Sequence, residues 1–543
     1  MKIIGLYGAL DWDTDVSGFM HDSGASFFDG GKHIRSISEE RLSRIKIDGN
    51  FPYKSIDYCL GDVSREEVDV VSYVPPGNHR SVNCVLEENN KKFLKQLFPN
   101  AKIWHVRHHL AHAASSVFTS PFNEGSFLTI DGAGSSLWDF AAKEIKFYEN
   151  TSHGFFDKRK NLFRFYDLPC QPGVNTFGDF YFSFSKIIIE EKTSKKMCFR
   201  NRPEGKIMGL SSYGSCDLTD VPYTKSTEYA KNFFNIDQYE FGPPVVNFFD
   251  YDVVNNYLNK MGLTPEDKSF WLQNHFQNSI EWFVSSLKDE GYLDDKVCFA
   301  GGCFLNINAN SVIQKLFSEV HIPPFTDDSG IPTGAALWAS YKLNQPIEMP
   351  YNIALLGKSY DDCVLDSGDY YNDFNSLCDV VAKALSENKI VGWFQGKSES
   401  GPRALGSRSI LMSPTDHSNK DTLNSRVKHR EYWRPFAGVV PEECASKYFD
   451  GGDNPYMLFS RKVIVDSLPA ITHEDKTCRI QTVNKKLNPK LHCLLHKLDT
   501  PVLLNTSFND NGEPIVETPE DAINAFKNMD LDLLVIGNYL LWK

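Results

Sequence analysis

Residues 108–116 read His108-His109-Leu110-Ala111-His112-Ala113-Ala114-Ser115-Ser116. An apolar run from Ile103 to Val106 precedes them and reads as a strand, while the alanine-rich continuation reads as a helix. On a helix, His108 and His112 are four apart and share a face, and His109 points elsewhere. Two imidazoles on one face suit a borderline transition metal. A histidine-bearing helix with no ligand is the plainer alternative. Two further stretches bear on that choice. Phe127-Leu128-Thr129-Ile130-Asp131-Gly132-Ala133-Gly134 places a carboxylate at the end of a strand, in a Gly-rich turn. Thr326-Asp327-Asp328-Ser329-Gly330 offers another in a loop before a helix. Two histidines and two carboxylates from different elements can close a metal site with room for substrate oxygens.

The chain around this stretch has 543 residues, too many for one core, so two domains or more are expected. A hydrophobic fraction of 41% is ordinary for a globular protein. Met1 to Tyr7 lacks a signal-peptide layout, and no apolar segment approaches the ~18 residues that span a membrane. The 12 cysteines are scattered with no C-x-x-C pair, which predicts reduced thiols, a cytoplasmic location and neither a disulfide framework nor a zinc ribbon. A net charge of −13 argues against a broad nucleic-acid surface.

Residues 1–60 predict strand, hairpin, strand and helix, with a tight turn at Asp29-Gly30-Gly31. Met20-His21-Asp22-Ser23-Gly24-Ala25-Ser26 is a polar turn leading into an apolar strand. Such a turn can offer backbone N–H groups to a phosphate, an ordinary hairpin being the alternative. Glu39 to Arg44 is predicted as a charged surface segment. The Asp-and-Gly turn recurs at Asp131 to Gly134, about 110 residues on. Two such turns, each at the edge of a hairpin, point to the two phosphate loops of an actin-like nucleotide fold. Val297 to Asn306 reads as strand, double-glycine turn and helix. Paired glycines let a flat adenine or ribose approach the backbone, unless the turn serves packing alone. Pro203 to Leu210 reads as a loop with one lysine and two glycines. The clearest helix is 268–290, with Phe276, Ile280, Phe283, Val284 and Leu287 on one stripe facing a core.

Gln345-Pro346-Ile347-Glu348-Met349-Pro350-Tyr351 predicts a linker, dividing the chain into domains 1–350 and 351–543. Phe374 to Lys389 predicts a helix with Leu377, Val380, Val381 and Leu385 inward, followed by a strand at 390–394. Beyond it, cations gather in short motifs: Arg403 and Arg408 in 399–409, four between Arg426 and Arg434, and Arg479 in Arg479-Ile480-Gln481-Thr482-Val483. Leu504 to Asn509 adds small donors after an apolar strand. Burying an unpaired cation costs several kcal/mol, so buried ones require an anionic partner. Arginine forks match phosphate oxygens, and lysine acts as a point charge. The alternative for each is a surface residue paired with an acid.

The segments HHLAHAASS at 108, IDGAG at 130, EGKIMGL at 204, AGGCFLN at 300, GPRALGSRS at 401, RVKHREYWRPFA at 426, RIQTV at 479 and LNTSFNDNGEPIV at 504 run through both halves. In order and spacing they resemble the carbamoyltransferases of natural-product biosynthesis, which include the tobramycin, cephamycin and geldanamycin-type enzymes and the nodulation O-carbamoyltransferases. The resemblance implies an α/β protein with an actin-like (ASKHA, Kae1-like) N-terminal domain and a YrdC-like C-terminal domain. It implies that the second domain hydrolyses carbamoyl phosphate to carbamate and joins this to ATP, bound with Mg2+, as carbamoyl adenylate. The first domain would hold the adenylate at a divalent metal, iron(II) in the best-studied relative, and pass the carbamoyl group to a hydroxyl of a small metabolite.

Position by position, the resemblance puts the metal ligands at His108, His112, Asp131 and Asp328, with Asp327 the competing choice. It puts carbamoyl phosphate and ATP at Arg403, Lys428, Arg434, Arg479, Asn505 and Ser507, of which Lys428 and Arg434 are expected to be catalytic. The adenylate falls to Gly301, Gly302 and Asn306, with Lys206 and Gly209 in a nearby loop. His21 is expected as a base or orienting group for the acceptor hydroxyl. Two departures stand out: Ser135 and Ser136 follow the Asp-Gly turn where relatives often carry glutamate, and Gly438 replaces the proline of an RPFAP motif. A threonylcarbamoyl-type transferase acting on tRNA conflicts with the charge of −13. An actin-like kinase leaves the second domain without a task, and a non-enzymatic ligand-binding protein would release no pyrophosphate. A metallopeptidase lacks the glutamate of HExxH, since His109 stands there. No nucleic-acid or membrane partner is expected, and a homodimer is left open.

Overall fold

The computed structural model describes residues 1–10, 21–75, 84–132, 136–139, 144–170, 176–197, 202–216 and 251–543. Ala133, Gly134 and Ser135, of the second Asp-and-Gly turn and its departure from the relatives, lie outside the described residues. Five strands form a first sheet: β1 (Lys2–Tyr7), β2 (Gly24–Asp29), β3 (Lys32–Ser38), β4 (Val70–Val74) and β5 (Lys102–His105), in the order β3-β2-β1-β4-β5. The hairpin strands β2 and β3 run antiparallel to their neighbours, while β4 and β5 continue parallel to β1.

A second sheet holds β6 (Glu124–Ile130), β7 (Ser136–Asp139), β8 (Glu144–Asp157), β9 (Leu162–Cys170), β10 (Lys296–Ala300) and β11 (Glu319–His321). Here β6 pairs antiparallel with β8 and β8 with β9, while β10 and β11 extend parallel on the other side. With β6, β8, β9, β10 and β11 in place of β1 to β5, the second sheet repeats the topology of the first. That duplication is the actin-like arrangement. Between the two sheets, the helices His108–Thr119 and Ile331–Lys342 pack backbone to backbone. A Cβ at Gly334 would stand 1.9 Å from the Ala111 carbonyl oxygen, so the crossing admits no side chain there.

The second half is a nine-stranded mixed sheet. Its strands are β12 (Asp369–Tyr370), β13 (Val391–Phe394), β14 (Arg408–Met412), β15 (Ala437–Pro441), β16 (Ser460–Lys462), β17 (Thr477–Val483), β18 (Leu503–Ser507), β19 (Leu533–Ile536) and β20 (Tyr539–Trp542). The helix Phe374–Ser386 buries Leu377, Val381 and Leu385 on it. The long helix Pro265–Asp289 buries the predicted stripe Phe276, Ile280, Phe283, Val284 and Leu287. Each such side chain contributes roughly 1.5–3 kcal/mol on burial. Their cluster also takes in Trp433, Leu458 and Phe459 from the second half, so one apolar core crosses the boundary between the halves.

Two expectations are corrected. Glu39 to Arg44 is not a charged surface segment: Glu39 and Arg41 are buried. Glu39 accepts from the backbone N–H of Lys54 and Ser55 at 3.1 and 2.7 Å, and Arg41 donates to the Gly401 carbonyl at 3.3 Å. Arg44 donates to the carbonyls of Ile515 and Pro514 at 2.8 and 2.9 Å. The covering partners are distant in sequence, so local charge alone misleads. Pro203 to Leu210 is likewise no loop, because Glu204–Leu210 is helical. Gly209 serves close packing there: its Cβ would lie 3.1 Å from Pro435 and from the Trp433 carbonyl.

Candidate functional site

The helix His108–Thr119 follows β5, as its alanine-rich sequence predicts, and buries His108 and His112 on one face. His109 turns to Ser152, with Nδ1 2.9 Å from its hydroxyl. Asp131 comes from the end of β6 and Asp328 from the loop before the helix Ile331–Lys342. Their ligand atoms converge. His108 Nε2 and His112 Nε2 are 3.2 Å apart and lie 3.3 and 3.1 Å from Asp131 Oδ2. The same nitrogens lie 3.3 and 3.4 Å from Asp328 Oδ1. Ligand atoms about 2.1 Å from one ion stand roughly 3.0–3.4 Å apart in octahedral or tetrahedral geometry, so this donor set fits a divalent transition metal. Asp327, the competing carboxylate, turns away to accept from the Ser329 hydroxyl.

The electrostatics are balanced. Burial alone would push the His108 imidazole down, but the Asp328 charge and hydrogen bonds to both carboxylates raise it to about 10. Burial opposes ionisation of Asp328, yet His108, His21 and His112 hold its carboxyl well below the usual range. Tyr7, which sequence reasoning passed over, donates its hydroxyl to Asp328 Oδ2 at 2.7 Å. His21 borders the cluster: its Nδ1 is 3.0 Å from Asp22 Oδ2 and 3.6 Å from Asp328 Oδ2. Arg202 pairs with Asp22 and lies 3.1 Å from His21 Nδ1. No spacing pattern marks Tyr7, Asp22 or Arg202; each is a single residue brought in by the fold.

The double-glycine turn sits against this cluster. Gly301 has φ +103, a left-handed backbone that favours glycine, and its Cβ would stand 2.2 Å from the Ile130 carbonyl. A Cβ on Gly302 would be 3.0 Å from Asp131 Oδ1. Asn306 is committed elsewhere: its amide exchanges 3.1 Å hydrogen bonds with Gln273 and caps the helix Ile307–Ile313 at Ala309. Lys206 reaches the other half, 2.8 Å from Glu431. A cleft of about 650 Å³ beside that helix, with Gln273, Asn308, Ser311, Arg461 and Lys462 among its lining residues, includes none of the predicted site residues.

Across the boundary, the predicted cations share one region but differ in their bonding. Arg403 and Arg479 each have a buried Nε–H with no hydrogen-bond partner among the described residues. Burial depresses Arg403 to about 10, against the pull of Asp327, and depresses Arg479 well below its ordinary value with Arg403 adding to the effect. Burial also lowers Arg434, whose Nη1 stays 3.7 Å from Glu431. Arg430, quoted in the sequence but given no role, joins them, lowered by burial, Arg434 and Arg479. Lys46, from the first half, faces the same charges and is lowered by burial, Arg434, Arg202 and Lys206. Such a concentration of partly unsatisfied cations is completed by a polyanion.

Lys428 behaves differently. Its three N–H donors go to the Ser507 carbonyl at 3.0 Å, the Asn509 carbonyl at 2.7 Å and Asn509 Oδ1 at 3.0 Å. It braces the turn after β18, and burial with the nearby Arg430, Lys46 and Arg434 charges lowers its ammonium well below the ordinary lysine value. Ser507 donates to Asn509 Oδ1 at 2.6 Å, and Asn505 donates to Gln481 at 3.0 Å. Arg408 and Arg426 stand apart. Arg408 is fully buried over the Phe394 ring at 3.6 Å, and Arg426 pairs with Asp530 at 2.7 Å on the surface.

The two regions meet. Gly401, two residues before Arg403, has φ +99, and its Cβ would lie 2.4 Å from the Pro324 carbonyl, in the loop that leads to Asp327 and Asp328. Asp327 faces the cations, its carboxyl raised to about 6 by burial and the Asp22 charge. An actin-like half thus carries a His/Asp cluster fit for a metal, and the α/β half joined to it carries a cation-lined region. Residues 14–96 and 80–337 match the carbamoyltransferase N-terminus family, and residues 382–543 match the carbamoyltransferase C-terminus. The chain belongs to the carbamoyltransferase family.

It is 30% identical to the nodulation protein NolNO of Sinorhizobium fredii, over 100% of this chain and 83% of that one. It is also 30% identical to an uncharacterized protein of Methanocaldococcus jannaschii, over 96% of this chain and 98% of that one. Among solved structures, full-length HypF in its phosphate- and nucleotide-bound form aligns with 64% of this chain and 47% of its own, at 15% identity and a TM-score of 0.35. Among the described residues, no helix is long and apolar enough to cross a membrane.

Proposed function

We propose that this chain is an ATP-dependent O-carbamoyltransferase in which residues 351–543 make carbamoyl adenylate and residues 1–350 use it. The observation that carries this reading is the juxtaposition of an acid-poor arginine region with a His/Asp cluster, through the contact of Gly401 with Pro324. Water cleaves carbamoyl phosphate to carbamate and phosphate. The carbamate oxygen then attacks the α-phosphorus of ATP, giving carbamoyl adenylate and pyrophosphate. Arg403, Arg434 and Arg479 hold the phosphates and offset charge that builds on the transferring oxygens. Lys428 fixes the Ser507–Asn509 turn beside them and adds its charge. ATP would enter with Mg2+.

In the first half, the adenylate would lie beside the turn at Gly301 and Gly302, whose glycines let it pack against Ile130 and Asp131 next to the His/Asp cluster. His21, oriented through Nδ1 by Asp22, takes the proton from the acceptor hydroxyl at Nε2. The hydroxyl oxygen bonds to the carbamoyl carbon and AMP leaves. Held by His108, His112, Asp131 and Asp328, a divalent metal such as iron(II) would supply Lewis acidity toward the carbamoyl carbonyl. The acceptor in this reading is a small hydroxylated metabolite. The test is pyrophosphate release from ATP by the purified chain, with and without carbamoyl phosphate. Release that depends on carbamoyl phosphate is expected. Equal release in both conditions, or none from folded protein supplied with metal and a panel of hydroxylated metabolites, would overturn the reading.

A further inference from the structure

Far along the second half, two histidines and a glutamate meet on the surface. His492 lies in the helix Pro489–Leu495, and His496 follows at its C-cap with the backbone still right-handed helical at φ −73 and ψ −6. Four residues apart, the two rings share a side, with centroids 4.4 Å apart. Their Nε2 atoms are 3.2 Å apart. Both point to one oxygen, Glu443 Oε1, at 2.8 Å from His492 and 2.7 Å from His496. Glu443 comes from the turn Glu442–Lys447 that follows β15. Two imidazoles and a carboxylate thus converge from two separate elements.

This donor set and its spacing suit a borderline divalent ion. Ligand atoms around one such ion lie roughly 3.0–3.4 Å apart, so the two shorter edges would open by a few tenths of an ångström. The side chains can do this: Glu443 is 51% and His496 43% exposed. Solvent access also leaves coordination positions for water. The intervening thiol takes no part, since Cys493 donates to Asn375 Oδ1 at 3.2 Å. We propose that Glu443, His492 and His496 form a second divalent transition-metal site, for an ion of the zinc, nickel or copper class, separate from the interior cluster.

An ion there would fasten the helix to the turn after β15. The helix in turn supports the Arg403 loop from behind. Asn488, its N-cap, donates to the Gly406 carbonyl at 3.1 Å, and Leu491 packs 2.3 Å from where a Gly406 Cβ would stand.

Equilibrium dialysis of the full chain against zinc(II) at pH 7.5 tests the proposal. A His108→Ala/His112→Ala variant removes the interior cluster and should retain one bound zinc. Adding His492→Gln and His496→Gln should remove that zinc. Glu443→Gln, which keeps both rings, should weaken it by more than about 100-fold, beyond the range for loss of an outer-shell partner. A parallel measurement avoids any folding cost of the interior changes. The untagged parent should be retained on a nickel(II)-charged column, and His492→Gln/His496→Gln in the parent background should flow through. Unchanged zinc stoichiometry and affinity without the two surface histidines, or unchanged nickel retention, would overturn the site.

Discussion

Around His108 and His112, groups of opposite sign alternate, whereas around Arg403 and Arg479 like charges crowd together. In the first cluster the opposite charges pair: each imidazole Nε2 meets two carboxylates, and Tyr7 donates to one of them, while His112 Nδ1 is buried without a hydrogen-bond partner among the described residues. In the second they do not: arginines depress one another, and two buried Nε–H groups find no acceptor among the described residues. Burial of charge is therefore resolved within the chain in one place and deferred to a ligand in the other. A balanced cluster selects by geometry, since its donors already stand at metal-ligand spacing. An unbalanced one selects by charge, and any sufficiently anionic group of the right reach will improve it.

Four outcomes would break or sharpen this contrast. The largest concerns the balanced cluster. His108→Ala or His112→Ala should eliminate interior metal and carbamoyl transfer while carbamoyl phosphate-dependent pyrophosphate release continues; metal analysis and the two assays, run together, separate these effects. Loss of pyrophosphate release as well would mean that the two clusters do not work independently. Next, Arg434→Ala or Arg479→Ala should lower pyrophosphate release by about 10²–10³-fold, the scale of one lost charge-stabilising donor, with interior metal content unchanged. Tyr7→Phe removes only an outer hydrogen bond to Asp328 and should weaken interior metal binding by about 10–100-fold, read by competition with a chelator.

The smallest effect supplies a baseline outside both regions. Burial holds the His321 imidazole down to about 3, with Lys158 adding to the effect, and holds His153 down to about 4. Their folded values lie below the unfolded value near 6.5, so unfolded chains take up protons first as pH falls. Stability should be full above about 6.5 and decline toward pH 4, seen as a falling thermal midpoint. His321→Gln should flatten that slope.

The contrast also explains what could be read in advance. The convergence of His108, His112, Asp131 and Asp328 was legible because HxxxH fixes one face of a helix and both carboxylates stand near glycines, the choice of Asp328 over Asp327 resting on the family resemblance. The actin-like half was legible from its two Asp-Gly turns, and the duplicated sheet topology agrees with it. Other features had no local signature. Tyr7 sits in an ordinary apolar strand, and Arg202 and Lys46 meet their site partners Asp22, Asp327 and Arg434 from more than a hundred positions away. Glu39 to Arg44 looked like surface because charge density says nothing of what covers it. The 204–210 helix looked like a loop in part because close packing, which Gly209 serves, and flexibility call for the same residue. Lys428 was legible as a cation, but its engagement by Ser507 and Asn509 could come only from the fold.

The boundary between the halves is a seam of hydrogen bonds and packed rings. Arg41 and Arg44 donate to the carbonyls of Gly401, Pro514 and Ile515, Tyr58 donates to Glu517, and Trp433 and Phe459 enter the first half's core. The linker at 345–351 contributes little beside this seam. A chain severed there and produced as two polypeptides should reassemble into one particle, while either fragment alone would expose arginines and aromatic rings that have no use for water. The covalent thread sets the ratio of the halves at one to one; the seam makes them one molecule.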